Sequence, residues 1–134
     1  MKVLVSVLLA VGCLMLIVPA EAHHSFNTFF AMDKKIEIEG VITSFKTVNP
    51  HSEMMVEVTE ADGSKVLWRI TARGGAVNAK KERWKPEDFI GRKAKVLGNP
   101  SRGATKKAMA AGVVTFADNG DVVCLGGCPG VPEQ

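Results

Sequence analysis

The chain holds three histidines in two places: His23 and His24 are adjacent, and His51 follows Asn49-Pro50. The pair stands at the end of a leader-like segment, so cleavage after Ala22 makes His23 the first residue of the mature chain. An α-amine and an imidazole on one residue can close a chelate ring. Both nitrogens surrender their protons readily to a metal near neutral pH, because their reference pKa values are ~8 and ~6.5. Among divalent first-row ions, Cu(II) has the highest affinity for such donors. His51 or His24 then completes the set. A cut after Ala20 instead exposes Glu21-Ala22-His23. There the amine, two main-chain amide nitrogens and the imidazole can lie in one plane, a geometry suited to Cu(II) or Ni(II). Either cut points towards the same metal, so copper is the expected cofactor, with His23, His24 and His51 as the candidate ligands.

The leader is read from residues 1–22. Lys2 gives a positive start, Val3 to Val18 an apolar run, and Pro19-Ala20-Glu21-Ala22 a small-residue cleavage site. The run is marginal for crossing ~30 Å of hydrocarbon and has no basic stop signal behind it. Export to a periplasmic or extracellular space, without stable membrane insertion, is therefore expected. Cys13 lies inside the apolar run and counts as a hydrophobe. Removal of the first 22 of 134 residues leaves 112, enough for one compact core. The formal charge of +3 is unchanged, since Lys2 and Glu21 leave together. So mild an excess bears on solubility and loose attraction to anionic surfaces, and a nucleic-acid partner is not expected outside the cytoplasm.

In an oxidising compartment Cys124 and Cys128 can persist as a disulfide. The loop they close is very small, so its entropic stabilisation falls below the ~3 kcal/mol of a ring of about 15 residues. It reads as a tail staple. A redox centre would more often be C-x-x-C beside a βαβ pattern, which the chain lacks.

The elements that must position the histidines are mostly strands. Residues 23–35 form an arm with Phe26, Phe29 and Phe30, half of the six phenylalanines. Burial of such rings, at ~1.5–3 kcal/mol each, predicts that the arm docks rather than frays. The reach between the two histidine positions requires the arm to fold back along the first strand, or that strand to curl. Strict alternation from Lys35 to Glu39 continues to Val48 as a first strand, with a slip of the apolar phase at Gly40 that predicts a bulge or bend. Asn49-Pro50-His51 turns the chain. Met54, Val56 and Val58 mark a second strand, Glu60 to Ser64 a hairpin turn, and Val66, Trp68 and Ile70 a third. After Gly74-Gly75, residues 76–83 predict a short helix ended by Lys85-Pro86. Lys93 to Leu97 gives a fourth strand, Gly98 to Gly103 a loop, Ala108 to Phe116 a fifth strand, and Val122-Val123 a short last segment.

Three strands, a short helix and two more strands, the first strand bent, define a mainly β fold. The expected architecture is a small five-stranded Greek-key barrel of the oligonucleotide/oligosaccharide-binding type, with an open α+β sheet as the alternative. The domain reading is a leader 1–22, an arm 23–35, a barrel 36–123 and a tail 124–134.

Ala22-His23-His24-Ser25-Phe26, Asn49-Pro50-His51, Gly74-Gly75 with Asn78, Trp84, and Gly98-Asn99-Pro100 together resemble a family of uncharacterised exported bacterial proteins, a domain of unknown function. The resemblance spans nearly the whole mature chain and implies an exported barrel-like domain with no activity to inherit. The chain departs from that pattern at Val77, where proline commonly precedes the asparagine, and in its Cys-bearing tail.

The expected function is that of a small exported copper-binding protein, its amine and imidazoles arranged in a way that resembles the histidine brace of copper proteins. A copper-dependent oxidative enzyme is the sharper alternative. It ranks lower, because the chain has no tyrosine, two tryptophans and little room for a substrate platform. A third class is a binding module for glycan, lipid head group or an exported protein partner, on a barrel face with Trp68, Arg69, Arg73 and the lysines at 80, 81, 93, 106 and 107. A solvated charged surface is the weightier account of those cations. Met54 and Met55 could offer thioether to Cu(I), but alternation turns one of them into the core as packing, and Glu53 reads as a strand-end charge rather than a ligand. No nucleophile triad or phosphate loop is present.

Overall fold

The computed structural model describes residues 26–103, 106–126 and 128. The leader, His23 and His24 lie outside the described residues. A short helix α1 (Phe26–Phe29) opens the arm. The barrel strands are β1 (Ile36–Lys46), β2 (Glu53–Thr59), β3 (Lys65–Thr71), β4 (Lys93–Pro100) and β5 (Ala108–Phe116), with a sixth strand β6 (Val122–Cys124). Between β3 and β4 come helix α2 (Ala76–Lys81) and a 3-10 turn (Pro86–Asp88). Among the described residues no helix is long and apolar enough to cross a membrane.

The strands close on themselves. β1 is long enough to serve two neighbours: Ile36 to Val41 pair with β4, and Val41 to Lys46 pair with β2. β2 and β3 form the hairpin read from the sequence, with Glu53 opposite Thr71 and Thr59 opposite Lys65. A parallel pairing of Arg69–Thr71 with Ala108–Ala110 joins β3 to β5, and β5 returns antiparallel to β4. The result is the closed five-stranded barrel expected above, with β6 added on the outer edge of β5. Closure leaves those five strands without the free edges of an open sheet.

Alternation decides what fills it. Ile42, Met54, Val56, Ile70, Val96, Met109 and Val114 are at most 1 % exposed and form the core with Phe45, Phe89 and Phe116. Met54 is core and Met55 half-buried, as period 2 requires.

Four local expectations are corrected. The phase slip of β1 belongs to Thr43–Ser44, not Gly40: pairing shifts between Ile42 and Ser44, which lets both Ile42 and Phe45 face the core while Val41 points outward. Gly40 answers a different need, since a Cβ there would sit 2.3 Å from the carbonyl oxygen of Glu57. The helix after Gly75 ends at Lys81, and Arg83 with φ 58° takes the left-handed conformation that stops it before Pro86 is reached. Gly98-Asn99-Pro100 is strand rather than loop, because β4 keeps pairing with β5 to Pro100 across a register shift at Leu97/Gly98. The last segment extends to Cys124, which therefore ends a strand.

Arg92 ties the turn after β5 to the barrel. Its guanidinium donates to Asp118 through Nε at 2.8 Å and Nη2 at 2.6 Å, and its Cζ stands 3.5 Å over the Phe116 ring. The hydrogen bond from Arg92 holds the Asp118 carboxyl below the usual carboxylate range. A depressed native pKa means stabilisation that is present above the ordinary aspartate value and is lost as pH falls through the native one. In thermal melts, the wild type should lose more melting temperature than Asp118→Asn between about pH 5 and about pH 2.5. Equal losses would assign the acid sensitivity to other carboxylates.

Candidate metal site

His51 lies in the turn between β1 and β2, after a cis Asn49-Pro50 bond. The β2–β3 ladder continues past the strand ends through Ala72 N–H to Ser52 O at 2.9 Å and Ser52 N–H to Gly74 O at 2.8 Å. That extension sets His51 beside Arg73, and the Arg73 carbonyl oxygen lies 3.0 Å from His51 Nδ1. A carbonyl only accepts, so Nδ1 carries the proton and donates. The lone pair is thereby left on Nε2, the orientation in which protein scaffolds present a histidine to a metal.

The turn is braced from a third direction. Asn49 Oδ1 accepts from the Ala76 N–H at 3.0 Å, capping the first turn of α2. This is possible because residue 75 has no side chain: a Cβ on Gly75 would fall 2.5 Å from Asn49 Oδ1 and 2.7 Å from the Pro50 carbonyl oxygen. The Asn-Pro-His turn and the Gly-Gly pair are thus two halves of one contact. Gly75→Ala should cost about 1–3 kcal/mol by overpacking and loss of this cap. Urea denaturation would read the effect, and a variant as stable as the wild type would contradict the packing described here.

The arm reaches the same place. Ala31 N–H bonds to Pro100 O at 2.8 Å, Phe30 bridges to Ser101, and Arg102 donates from its main-chain N–H to Phe29 O and from Nε to Asn27 O. Asn99, only 5 % exposed, directs its amide nitrogen at the carbonyl oxygens of Lys34 (2.6 Å), Met32 (3.2 Å) and Ala31 (3.4 Å). The arm therefore docks along the end of β4, not along β1. At its start Phe26 packs on Phe30 with centroids 5.4 Å apart and meets His51 edge-on at 4.8 Å. Arg73 adds its guanidinium 6.0 Å from the Phe26 centroid. Phe26 and Phe30 do the docking expected of the phenylalanines, and the Phe29 side chain is 52 % exposed.

Of the three candidate ligands, then, His51 has a described position, and His23 and His24 fall outside the described residues. Among the described residues no group of three His, Cys, Asp or Glu side chains is placed to hold a metal. Glu53 is engaged by Arg69. The disulfide between Cys124 and Cys128 is present, with Cα atoms 5.9 Å apart. The next residue, Leu125, is buried and accepts the Arg73 N–H at 3.0 Å, so the stapled tail backs the residue that orients His51. Three of the cations considered for a barrel-face binding module stand in separate ion pairs: Arg69 with Glu53, Lys93 with Glu39, Lys107 with Glu60.

Sequence reasoning missed Arg73 as the orienting residue, since a main-chain carbonyl leaves no trace in residue type. It also missed the role of Asn99, for which the Gly98-Asn99-Pro100 element was the available signal.

These features define a small closed β-barrel whose amino-terminal arm is pinned beside a turn histidine. The chain belongs to the family of unknown function DUF6152, whose model matches residues 11–110 and so spans both histidine positions, the Gly-Gly pair and Asn99. Cys124 and Cys128 lie beyond the matched residues. No curated protein and no solved structure matches the chain.

Proposed function

We propose that the protein is an exported copper-binding protein, processed at residues 20–22, whose ion is shared by the new amino terminus, the imidazole of His23 or His24, and Nε2 of His51. The observation that carries this reading is the edge-on contact of Phe26 with His51, made while His51 donates through Nδ1 to Arg73. His24 is two residues from Phe26, so its Cα lies within about 7.6 Å of the Phe26 Cα by covalent geometry alone. His23 is one step of ~3.8 Å further. A docked arm thus removes most of the loop entropy that separates His24 from His51, residues 27 positions apart in the chain.

Copper bound there would supply a redox-active ion or simply be carried; the chain's own part is to hold it. The Arg73 carbonyl fixes the His51 tautomer, the Asn49 cap and Gly75 fix the turn, and Phe26 packs at right angles to the imidazole. Binding requires unprotonated nitrogens, so affinity falls on acidification.

The test is amino-terminal sequencing of protein recovered after export, with calorimetric Cu(II) titration of that product and of its His23→Ala and His51→Ala variants. The reading expects one equivalent of copper, weakened in both variants. Intact stoichiometric binding in both, or an uncleaved leader, would defeat it.

A further inference from the structure

An open groove of about 710 Å³ runs between β6 and the segment that links α2 to the 3-10 turn, and it shares no residue with the histidine site. Its aromatic lining is Trp84, Phe89 and Phe116, the last two each 3 % exposed. Around them stand four carboxylates, Glu82, Glu87, Asp88 and Asp121, against two guanidinium groups, Arg83 and Arg92. Arg92 is already committed to Asp118 through two hydrogen bonds. The groove is therefore acidic on a chain whose formal charge is +3.

Its other wall is a strand edge. β6 pairs with β5 and ends the strand order, so its far side is unpaired among the described residues. Phe116 N–H donates to Asp121 O at 2.9 Å and Leu125 N–H to Gly112 O at 2.8 Å. Residues 121 and 123 and the N–H of Leu125 thus turn to β5. By strand alternation Val122 and Cys124 turn theirs away, towards the groove that both residues line. The disulfide from Cys124 to Cys128 secures the end of this edge, so it does not have to form on binding.

An unpaired edge beside an apolar floor is the arrangement that accepts an added strand, with main-chain bonds for affinity and alternate side chains for specificity. The charges select the sequence. We propose that the groove binds an extended basic segment of a partner protein as an additional strand on β6. Its main chain pairs with Val122 and Cys124, its apolar side chains rest on Trp84 and Phe89, and its lysine or arginine side chains meet Glu87, Asp88 and Asp121.

A fluorescein-labelled Lys-Val alternating hexapeptide, titrated with the full disulfide-bonded protein and followed by fluorescence anisotropy, tests this. Saturable one-to-one binding is expected, weakened about tenfold or more by Asp121→Lys. N-methylation of every second peptide nitrogen on the pairing side should weaken it to a similar degree. A control at Glu37→Lys, an exposed carboxylate on β1, should leave the affinity within about twofold. Absence of binding, equal binding by Asp121→Lys, or full affinity for the N-methylated peptide would overturn the proposal, the last outcome indicating attraction of any polycation. Concentration-dependent dimers in sedimentation velocity that the peptide disperses would overturn it in favour of a second copy as occupant. Circular dichroism of Asp121→Lys keeps loss of fold separate from loss of the groove.

Discussion

His51→Ala should lower the Cu(II) affinity of the mature chain by at least about 100-fold, ~2.7 kcal/mol, and leave the barrel folded. The magnitude follows from position. Loss of a group that merely orients a ligand costs roughly 10–100-fold in metal affinity, and loss of the ligand itself lies at or above the top of that range. The fold should tolerate the change, because His51 is a half-buried turn residue outside the barrel core. It gives up one hydrogen bond to Arg73 and one aromatic contact with Phe26, together about 1–2 kcal/mol. A competition titration against a chelator of known affinity reads the first effect and a urea curve the second. Affinity within about threefold of the wild type would mean that the ion sits wholly on the chain terminus.

Asn99→Ala should act on the same site from the far end of the arm. One amide group faces three main-chain carbonyls, those of Lys34, Met32 and Ala31. It has two hydrogens, so the 2.6 Å bond to Lys34 takes one and the other is divided between the remaining oxygens. Removal takes this donor from the Lys34 and Met32 carbonyls, while Ala31 O keeps the Lys34 N–H, at a cost of about 1–3 kcal/mol. Asn99→Asp should do worse than alanine, since it sets an acceptor against three acceptors. The arm residues then exchange their amide protons faster than the β1–β4 ladder does, and copper affinity falls about tenfold although no ligand has changed. Native-state hydrogen exchange at Ala31 and Lys34, whose N–H groups bond to Pro100 and Ala31, is the direct readout. Unchanged protection in Asn99→Ala would show that the arm is held without Asn99, by its phenylalanines and its bonds to Pro100 and Arg102.

The barrel was legible because alternation in β1, β2, β3 and the start of β4 is strong, because β5 is a short apolar run, and because Gly-rich and Asn/Asp-rich turns separate them. The end of β4 was not legible, since Gly98-Asn99-Pro100 has the composition of a turn and becomes strand only through pairing with β5 and contact with the arm. The bulge was misplaced for a related reason: Val41 looks like a core residue in the sequence, and only the two-sided pairing of β1 turns it outward. The histidine coincidence could be read from residue type and spacing. What could not be read is the route of the arm. It depends on Phe26 reaching His51 rather than Phe29 doing so, and on a carbonyl of Arg73, which every residue possesses. The glycine pair and the Asn-Pro-His turn were each visible, but their contact joins residues 27 positions apart, Asn49 and Ala76.

The most direct test of the shared site is electron paramagnetic resonance, with nitrogen modulation, of the mature chain loaded with one equivalent of Cu(II), recorded beside His51→Ala. Two imidazole couplings in the wild type and one in the variant are expected. Identical spectra from the two proteins would contradict the account, because the turn imidazole would then take no part in holding the ion.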